Sequence, residues 1–504
     1  MVFSTPSFLF YFLPVTLALY FLTPLHKGSP RWRNLTLCVM SLVFYAWGEP
    51  KYVFLMIAQC LSAWGFGLLI DKYRGGNASK VFMLVSAAVS LSGLLFFKYA
   101  NFFITNINSL SGAGFPLVRL IMPIGISFYT FQILSYTFDL YRGDTEVRRN
   151  PMYFSMYVTL FPQLIAGPIV RYADVAAAID KREHSLQRFA VGARRFIFGL
   201  GKKMLLANLF GELVGVYKQS GSGSVLFTWL YIAAFAFQIY FDFSAYSDMA
   251  IGLGHMFGFH FRENFNYPYI ASSITDFWRR WHMSLSGWFR DYVYIPLGGN
   301  RVPPLRSVFN IMLVWMLTGF WHGADWNFVL WGGFFGLALL AEKFFFAKPL
   351  AKAPKPLRHA YVMFMVFVSW AFFDAGSLGE AFAVIGRMFG IGVSSFAERE
   401  SLYYLRSYFV PLIVGVIGST PLLKNFAERI MGTECPRDQG SGDRGQEMRD
   451  SDTTQALKMR TDRQQKARQA ITTILEPLVL LLILVAATAK MIDGSFNPFI
   501  YFRF

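Results

Sequence analysis

Charged residues are scarce in this chain. Only 15% of its 504 residues are Asp, Glu, Lys or Arg, whereas soluble proteins contain roughly 25%. Hydrophobic residues make up 55% of the chain, and they occur in long runs rather than at the periodic positions of an amphipathic surface helix. This composition excludes a conventional soluble enzyme and predicts an all-α integral membrane protein that crosses the bilayer many times.

Cysteine and the motifs of common soluble enzymes are also rare or absent. Three Cys cannot build a disulfide framework, and Cys38 and Cys60 lie within apolar runs. The sequence contains no G-x-S-x-G nucleophile turn, no phosphate-binding P-loop and no H-E-x-x-H zinc helix. We therefore expect neither a metal site nor a resident cofactor.

Negative charge is scarcer than positive charge. The 47 Lys and Arg outnumber the 30 Asp and Glu, which gives a net charge of +17. Cytoplasmic loops of membrane proteins collect basic residues, and no nucleic-acid-binding module is present, so nucleic acid is not an expected partner. The positions of the basic loops predict that the N-terminus lies outside the cytoplasm. These loops are 24–34, 71–80, 141–150, 171–203 and 348–358.

Apolar segments of suitable length define the predicted membrane domain, formed by 1–424 and 471–504. Residues 152–169 contain two prolines and lie between loops assigned to the same side, so they are expected to enter the membrane and return. Residues 425–470 are polar and predict a partly disordered cytoplasmic loop. The candidate spans are 7–23, 35–48, 52–70, 81–97, 117–140, 204–217, 225–243, 245–260, 308–322, 326–346, 360–377, 403–423 and 472–491.

Histidine is rare, and His322 differs from the other six. It follows the apolar run 309–321, and an ionisable side chain at membrane depth is costly enough to indicate function. The flanking Gly319 and Gly323 are expected to leave the backbone open for a substrate. A neutral imidazole, with an unperturbed pKa of about 6.5, suits general-base catalysis on a hydroxyl. The alternative is a structural histidine that is hydrogen-bonded to a neighbouring helix.

A second candidate region is residues 276–292, where aromatic and charged side chains alternate. The region is too polar to cross a bilayer and predicts an interfacial or pore-lining element. His282 could orient a reacting group, and phosphates of a cofactor could be contacted by Arg279, Arg280 or Arg290. An aromatic belt with snorkelling arginines would have a similar composition.

Acidic residues within apolar runs leave a different class of function open. Asp242 and Asp248 interrupt two candidate spans, and buried carboxylates carry protons in pumps and transporters. A proton-coupled transporter or flippase is therefore an alternative, although both carboxylates could equally hydrogen-bond a helix break.

Four separated blocks of this sequence resemble the membrane-bound O-acyltransferase family. The blocks occur in the order found in the family, and the likeness covers nearly the whole chain apart from 425–470. Within the family, the chain is most similar to the bacterial branch that O-acetylates alginate. Its terminal motif, NPFIYFRF at 497–504, also resembles the bacterial branch. The blocks are PIGISFYTFQ at 123–132, FPQLIAGP at 161–168, FWRRWH at 277–282 with WFRDYVYIPLGG at 288–299, and TGFWHG at 318–323.

This resemblance implies a polytopic helical fold with re-entrant or broken helices around a transmembrane tunnel. It implies that His322 is the catalytic histidine and that His282 is the second polar residue of the site. His322 would act as general base toward an acceptor hydroxyl, directly or on a relay partner, and His282 would hold or polarise the thioester carbonyl.

The same resemblance implies the substrates and the location. The acyl donor would be a cytoplasmic thioester, acetyl-CoA above all, and the acetyl group would cross a bacterial inner membrane in which the N-terminus is periplasmic. Expected partners are membrane lipid, a polysaccharide acceptor and periplasmic acetyltransferase proteins of a polysaccharide-modification system. Related branches of the family acetylate cellulose or peptidoglycan, or transfer D-alanine.

Overall fold

The structure is a computed structural model that describes residues 1–23, 30–220, 223–431, 473–493 and 499–500. All regular secondary structure in these ranges is helical. The helices are α1 (Ser7–Leu22), α2 (Arg31–Gly48), α3 (Tyr52–Lys72), α4 (Asn77–Ser111), α5 (Ile126–Arg142), α6 (Pro151–Thr159), α7 (Phe161–Leu164), α8 (Tyr172–Asp180), α9 (Leu186–Gly201), α10 (Asn208–Ser220), α11 (Val225–Met256), α12 (Ile274–Trp278), α13 (Met283–Phe289), α14 (Pro304–His322), α15 (Trp326–Lys352), α16 (Lys355–Asp374), α17 (Leu378–Met388), α18 (Arg399–Ser407), α19 (Phe409–Gly418), α20 (Leu422–Met431) and α21 (Thr473–Ile492).

Several of these helices can cross a membrane. Six described helices, namely α3, α4, α11, α15, α16 and α21, are long and apolar enough to do so. The pair α18 and α19, bent by 53°, would make a seventh span. The predicted multi-pass helical membrane protein is thus confirmed.

Two of the predicted span boundaries are wrong. Residues 225–243 and 245–260 do not form two spans, because a single helix of 32 residues, α11, runs through Ser244 without a break. The predicted span 117–140 is helical only from Ile126, since the preceding Gly125 adopts a left-handed backbone with φ of 77° that ends regular helix.

Helix α11 lies at the centre of the molecule. It is about 48 Å long at 1.5 Å per residue, and most of its side chains are buried because α9, α10 and α16 pack around it. Small residues bring α9 close to it. A Cβ atom on Gly192 would lie 2.5 Å from the carbonyl oxygen of Gly252, and one on Gly199 would lie 2.8 Å from that of Ala245. Close packing through small residues is typical of helices in membranes.

The segment predicted to enter and return is a broken helix inside the protein. Helix α6 ends at Thr159, the short α7 follows, and every residue from 156 to 170 is buried. The backbone N–H of Ile169 donates a hydrogen bond to Ser284 Oγ over 3.0 Å. This bond joins the returning segment to the stretch that carries His282, and it satisfies a non-helical backbone group away from lipid.

Most of the predicted polar loop and part of the C-terminal motif lie outside the described residues. Residues 432–470 of the loop, and residues 497–498 and 501–504 of the terminal motif, are not described, and α20 ends where the gap in the loop begins. Phe499 and Ile500 are buried against α11. The backbone N–H of Ile500 donates to Asp242 over 2.6 Å, and Asp242 also pairs with Lys203 at 2.6 Å.

Helices α14 and α15 pack through glycine. A Cβ atom on Gly332 would overlap the carbonyl oxygen of Trp315, and one on Gly319 would overlap that of Phe328. A Cβ atom on Gly323 would overlap the Phe328 ring. The expectation that Gly319 and Gly323 leave open space around His322 is therefore wrong, because Phe328 of α15 occupies the space beside both glycines.

This contact predicts opposite effects for two adjacent glycines of α15. Gly332→Ala should lower the free energy of unfolding by about 1–3 kcal/mol, since the Trp315 backbone cannot move aside as a side chain would. A Cβ atom on Gly333 meets nothing within 4 Å, so Gly333→Ala should leave stability unchanged or raise it slightly. Thermal unfolding of the two purified variants measures the difference, and equal melting temperatures would contradict the proposed packing.

Candidate active site

His322 is the last residue of α14 and is only 3% exposed. The helix ends here because Gly323 is extended and because Asp325 caps the start of α15 by accepting from the backbone N–H of Trp326. Aromatic rings surround the imidazole, with ring centroids at 5.0 Å for Trp321, 5.1 Å for Trp331 and 5.4 Å for Phe373. The histidine is thus buried among aromatic rings at the end of α14.

His282 lies directly before α13 and is fully buried. Its backbone is left-handed, with φ of 45° and ψ of 52°, which is uncommon for a residue other than glycine and is often found at functional sites. Its Nδ1 atom lies 3.2 Å from Oδ1 of Asn264. The predicted non-spanning character of this region is confirmed, because α12 and α13 are short helices of 5 and 7 residues.

The partners of Asn264 indicate the tautomer of His282. Asn264 Oδ1 also accepts from the backbone N–H of Ser284 at 3.2 Å, and a backbone N–H can only donate. The oxygen is therefore the acceptor, and the neutral ring of His282 donates through Nδ1–H. Its Nε2 atom then carries the lone pair, which suits acceptance of a hydrogen bond from a hydroxyl. A carbonyl could be polarised through Nε2 only by the protonated ring.

The two histidines face each other across a narrow gap. Their ring centroids are 6.4 Å apart with the ring planes at 63°. Trp321 lies beside both rings, at 6.0 Å from His282, and Phe243 packs 4.7 Å from His282 on the side of α11. One small reacting group can contact both imidazoles in an otherwise apolar enclosure.

A cavity of about 1180 Å³ leads toward this pair. Its inner end is lined by Met283, which follows His282, and by Thr318, which lies one helical turn before His322. Neither histidine lines the cavity, so the cavity stops short of the imidazoles. Its volume exceeds the roughly 300–1,000 Å³ of ordinary small-molecule pockets, which suits a long ligand.

The lining of the cavity is basic. Lys343 and five arginines contribute, against the acidic Asp174, Glu263 and Glu342. Among the described residues neither Arg279 nor Arg358 forms a salt bridge, so their charges are available to a ligand. The five arginines are Arg171, Arg262, Arg279, Arg290 and Arg358.

Part of this basic charge is neutralised by Asp291. Arg171 lies 2.8 Å and Arg290 lies 2.7 Å from its carboxylate. Partial burial raises the pKa of Asp291, but the hydrogen bonds from Arg290 and Arg171 outweigh that effect and hold the pKa below its ordinary value. The carboxylate is ionised at neutral pH, so Arg290 lines the cavity as a member of an ion pair.

The third predicted phosphate contact, Arg280, lies elsewhere. It does not line the cavity, and its guanidinium donates to Asp276 at 2.8 Å and to the Asn266 carbonyl at 3.2 Å. The structure thus places His282 beside His322 and puts Arg279 and Arg290, but not Arg280, on the neighbouring cavity.

The acidic residues behind the transporter alternative are both ion-paired. Asp242 pairs with Lys203, and both side chains are 2% exposed. Asp248 lies 2.6 Å from Lys202 and 2.9 Å from Arg195. Carboxylates held in this way join α11 to α9 and to the turn 202–207 that follows it, which favours a structural role for them.

Three residues near the site were missed by the sequence analysis. Asn264 and Arg358 belong to no motif and lie among other polar residues, so no sequence signal separates them. Lys98 could have been found by the reasoning that selected His322, since it is a charged side chain at the end of an apolar run. Its Nζ atom lies 2.6 Å from the Trp321 carbonyl oxygen.

The hydrogen bond of His282 predicts the effect of replacing its partner. Asn264→Ala removes the acceptor of Nδ1–H and should slow the expected acyl transfer by about tenfold or more, because the tautomer and orientation of the ring are no longer fixed. Ser284→Ala removes another donor to the same oxygen and should have a smaller effect. Steady-state rates of both folded variants test this, and a wild-type rate for Asn264→Ala would contradict it.

Known proteins resemble this chain over its whole length. Residues 147–378 match the membrane-bound O-acyltransferase family. The probable alginate O-acetylase AlgI of Azotobacter vinelandii is 37% identical, with 100% of both chains covered. The peptidoglycan O-acetyltransferase of Helicobacter pylori is 35% identical over 78% of this chain and 81% of its own length. The teichoic acid D-alanyltransferase of Bacillus subtilis is 30% identical over 46% of this chain and 61% of its own.

These likenesses agree with the arrangement of buried histidines and apolar helices. The matched region includes both histidines, the broken helix α6–α7 and the basic cavity. Identity of 37% over the full length is sufficient to assign the family. The chain therefore belongs to the membrane-bound O-acyltransferase family and is a multi-pass membrane acyltransferase.

Proposed function

We propose that this protein takes an acetyl group from a cytoplasmic thioester and passes it through the membrane for O-acetylation of an exopolysaccharide, alginate. The observation that carries the proposal is the pair His282 and His322, 6.4 Å apart, next to a basic cavity whose lining includes residues adjoining both histidine segments. Full-length similarity to a protein named as an alginate O-acetylase supports the choice of polymer.

His322 is the general base in the proposed reaction. It takes the proton from an acceptor hydroxyl while the hydroxyl oxygen forms a bond to the thioester carbonyl carbon. The bond from that carbon to sulfur breaks, and the leaving thiolate receives the proton. His282 accepts a hydrogen bond through Nε2 from a second hydroxyl of the acceptor, beside the reacting one, and so orients the acceptor. This role follows from the bond of its Nδ1 to Asn264 and differs from carbonyl polarisation.

Acetyl-CoA is the proposed donor, as a substrate rather than a bound cofactor. Its phosphates need cationic partners, and Arg279 and Arg358 at the cavity supply guanidinium groups that form no salt bridge among the described residues. The apolar inner wall of Trp278, Met283 and Trp315 suits the pantetheine arm and the acetyl group. Arg290 contributes to the same mouth through its ion pair with Asp291.

The proposed location is the bacterial inner membrane with the N-terminus in the periplasm. The basic residues 171, 279 and 358 lie on one cavity and would face the cytoplasm, where basic loops accumulate. Periplasmic acetyltransferase proteins of a polysaccharide-modification system are the proposed partners on the opposite face. Residues 471–504 are proposed to belong to the membrane domain together with 1–424.

Peptidoglycan is the second candidate acceptor. A protein named peptidoglycan O-acetyltransferase is 35% identical over 78% of this chain, close to the identity of the alginate enzymes, and it transfers the same acyl group. Mass spectrometry of alginate and peptidoglycan from cells with and without the gene distinguishes the two, because only the true acceptor loses its acetyl mass.

The histidine assignment predicts loss of chemistry without loss of fold. Purified protein in nanodiscs is supplied with acetyl-CoA labelled in its acetyl group and with an alginate oligosaccharide as probe acceptor. His322→Ala should reduce acetyl transfer and release by at least about a hundredfold, since proton transfer by a positioned base contributes that much. The exposed His260 provides a matched control, and His260→Ala should retain the wild-type rate.

A wild-type rate for a well-folded His322→Ala would remove this histidine as the base. If neither protein uses acetyl-CoA while the wild type, and not His322→Ala, uses another thioester, the donor assignment fails and the histidine assignment stands.

The two adjacent arginines 279 and 280 predict different effects on donor binding. Arg279→Ala should raise KM for acetyl-CoA by about tenfold, the effect of one hydrogen bond between charged groups. It should leave KM for acetyl-pantetheine, which has no phosphate, unchanged. Arg280→Ala is the control, since its guanidinium is bonded to Asp276 outside the cavity. Equal KM values for Arg279→Ala and wild type with acetyl-CoA would contradict phosphate binding at this mouth.

A further inference from the structure

Helix α4 contains an irregular turn next to the end of α14. Leu95–Tyr99 is π-helical, within the otherwise α-helical α4. Such single wide turns are rare and often occur at functional sites. The turn presents two consecutive polar side chains, Lys98 and Tyr99, to the last residues of the helix that carries His322.

The end of α14 would otherwise leave its carbonyl groups without donors, as every helix end does. Lys98 Nζ donates to the carbonyl oxygens of Trp321 at 2.6 Å and His322 at 3.1 Å. The hydroxyl of Tyr99 donates to the Phe320 carbonyl at 2.7 Å. Gly323 N–H completes the turn by donating to Gly319 at 3.4 Å. All four carbonyls from Gly319 to His322 are thereby satisfied.

Lys98 contributes a positive charge at this position in addition to hydrogen-bond donors. It forms no salt bridge among the described residues, and a cation within the membrane domain is retained at a cost in free energy. The last turn of a helix carries a partial negative charge that a cation stabilises. A Lys with two carbonyl partners at the end of α14 therefore binds the helix end electrostatically as well as through hydrogen bonds.

The neighbouring aromatic contacts make the attachment rigid. The ring of Tyr99 stacks on that of Phe320 with centroids 4.1 Å apart and planes at 20°. The ammonium of Lys98 also lies 5.9 Å from the Trp321 ring centroid. Because Trp321 and His322 adjoin along the chain, a shift of this helix end would move the imidazole relative to His282.

We propose that Lys98, assisted by Tyr99, is a positioning residue that holds the end of α14 so that the His322 imidazole faces His282. The inference rests on the proposed function, in which His322 is the base. Lys98 acts through the Trp321 and His322 carbonyls and does not line the basic cavity, so it should govern the chemical step and not the binding of the donor at Arg279 and Arg358.

Three substitutions at one position separate charge, hydrogen bonding and size. Lys98→Arg keeps the charge and offers several donors, Lys98→Gln keeps a donor without the charge, and Lys98→Met keeps only the length. Steady-state acetyl transfer from labelled acetyl-CoA is measured for each in nanodiscs, beside a thermal melt. Lys51 is exposed at the start of α3 and takes no part in the site, so Lys51→Met is the matched control.

The expected order of kcat is wild type, Lys98→Arg, Lys98→Gln and Lys98→Met. Lys98→Met should lose about ten- to hundredfold in kcat, the effect of misplacing a catalytic group by about an ångström, while KM for acetyl-CoA stays at the wild-type value. Lys98→Arg should recover most of kcat. If Lys98→Met does not fold, the comparison of Lys98→Arg with Lys98→Gln decides the matter.

Two results would overturn the inference. One is a wild-type kcat for folded Lys98→Met or Lys98→Gln. The other is a kcat loss that follows the loss of melting temperature and is not rescued by Lys98→Arg, which would indicate a structural cap alone. His322→Ala, measured in parallel, separates the two proposals: an active His322→Ala ends both, whereas an inactive His322→Ala beside a fully active Lys98→Met ends only this one.

Discussion

In hydrocarbon no water can satisfy a polar group, so the polar groups of a membrane domain must be met by other parts of the same chain. The site of this acyltransferase depends on hydrogen bonds of this kind between segments of the chain. Ser284 joins the broken helix to the His282 segment, and Asn264 fixes the His282 ring. Lys98 and Tyr99 of α4 meet the end of α14. The contacts of Ser284 and of Lys98 connect elements that are more than a hundred residues apart in sequence, and the site follows from the combination of all these contacts.

Charge and apolar surface are separated along the cavity. Guanidinium groups lie at the mouth, whereas tryptophan and phenylalanine surround the two histidines. The first arrangement suits the capture of an anionic donor, and the second excludes water from the place where the thioester would react. The histidines also lie where two clusters of buried apolar side chains meet, since Trp321 belongs to one and Trp331 to the other.

Much of the fold and part of the site could be predicted from sequence, because they depend on the length of apolar runs and on the positions of charged residues along the chain, which can be read from short segments. The helical membrane fold and the broken helix at 152–169 were predictable in this way, as was the importance of His322 as an ionisable residue after an apolar run. The family resemblance added the pairing with His282.

What sequence could not reveal depends on contacts between distant segments. Helix α11 continues where two spans were predicted, and Asp242 within it is paired with Lys203, which lies about 40 residues earlier in the chain. The function of Gly319 became visible only from the position of Phe328 on the next helix. The tautomer of His282 follows from Asn264 and Ser284 together, and no spacing in the sequence indicates that they meet.

The central claim is that the basic cavity delivers a thioester to the histidine pair. The most direct test is a cryo-EM structure with a ketone analogue of acetyl-CoA, in which a methylene group separates sulfur from carbonyl and prevents cleavage. We expect phosphate density beside Arg279 and Arg358, and the carbonyl carbon between His282 and His322, where an attacking oxygen can lie about 3–3.5 Å from it. Analogue density on another surface, or a carbonyl remote from both imidazoles, would contradict it.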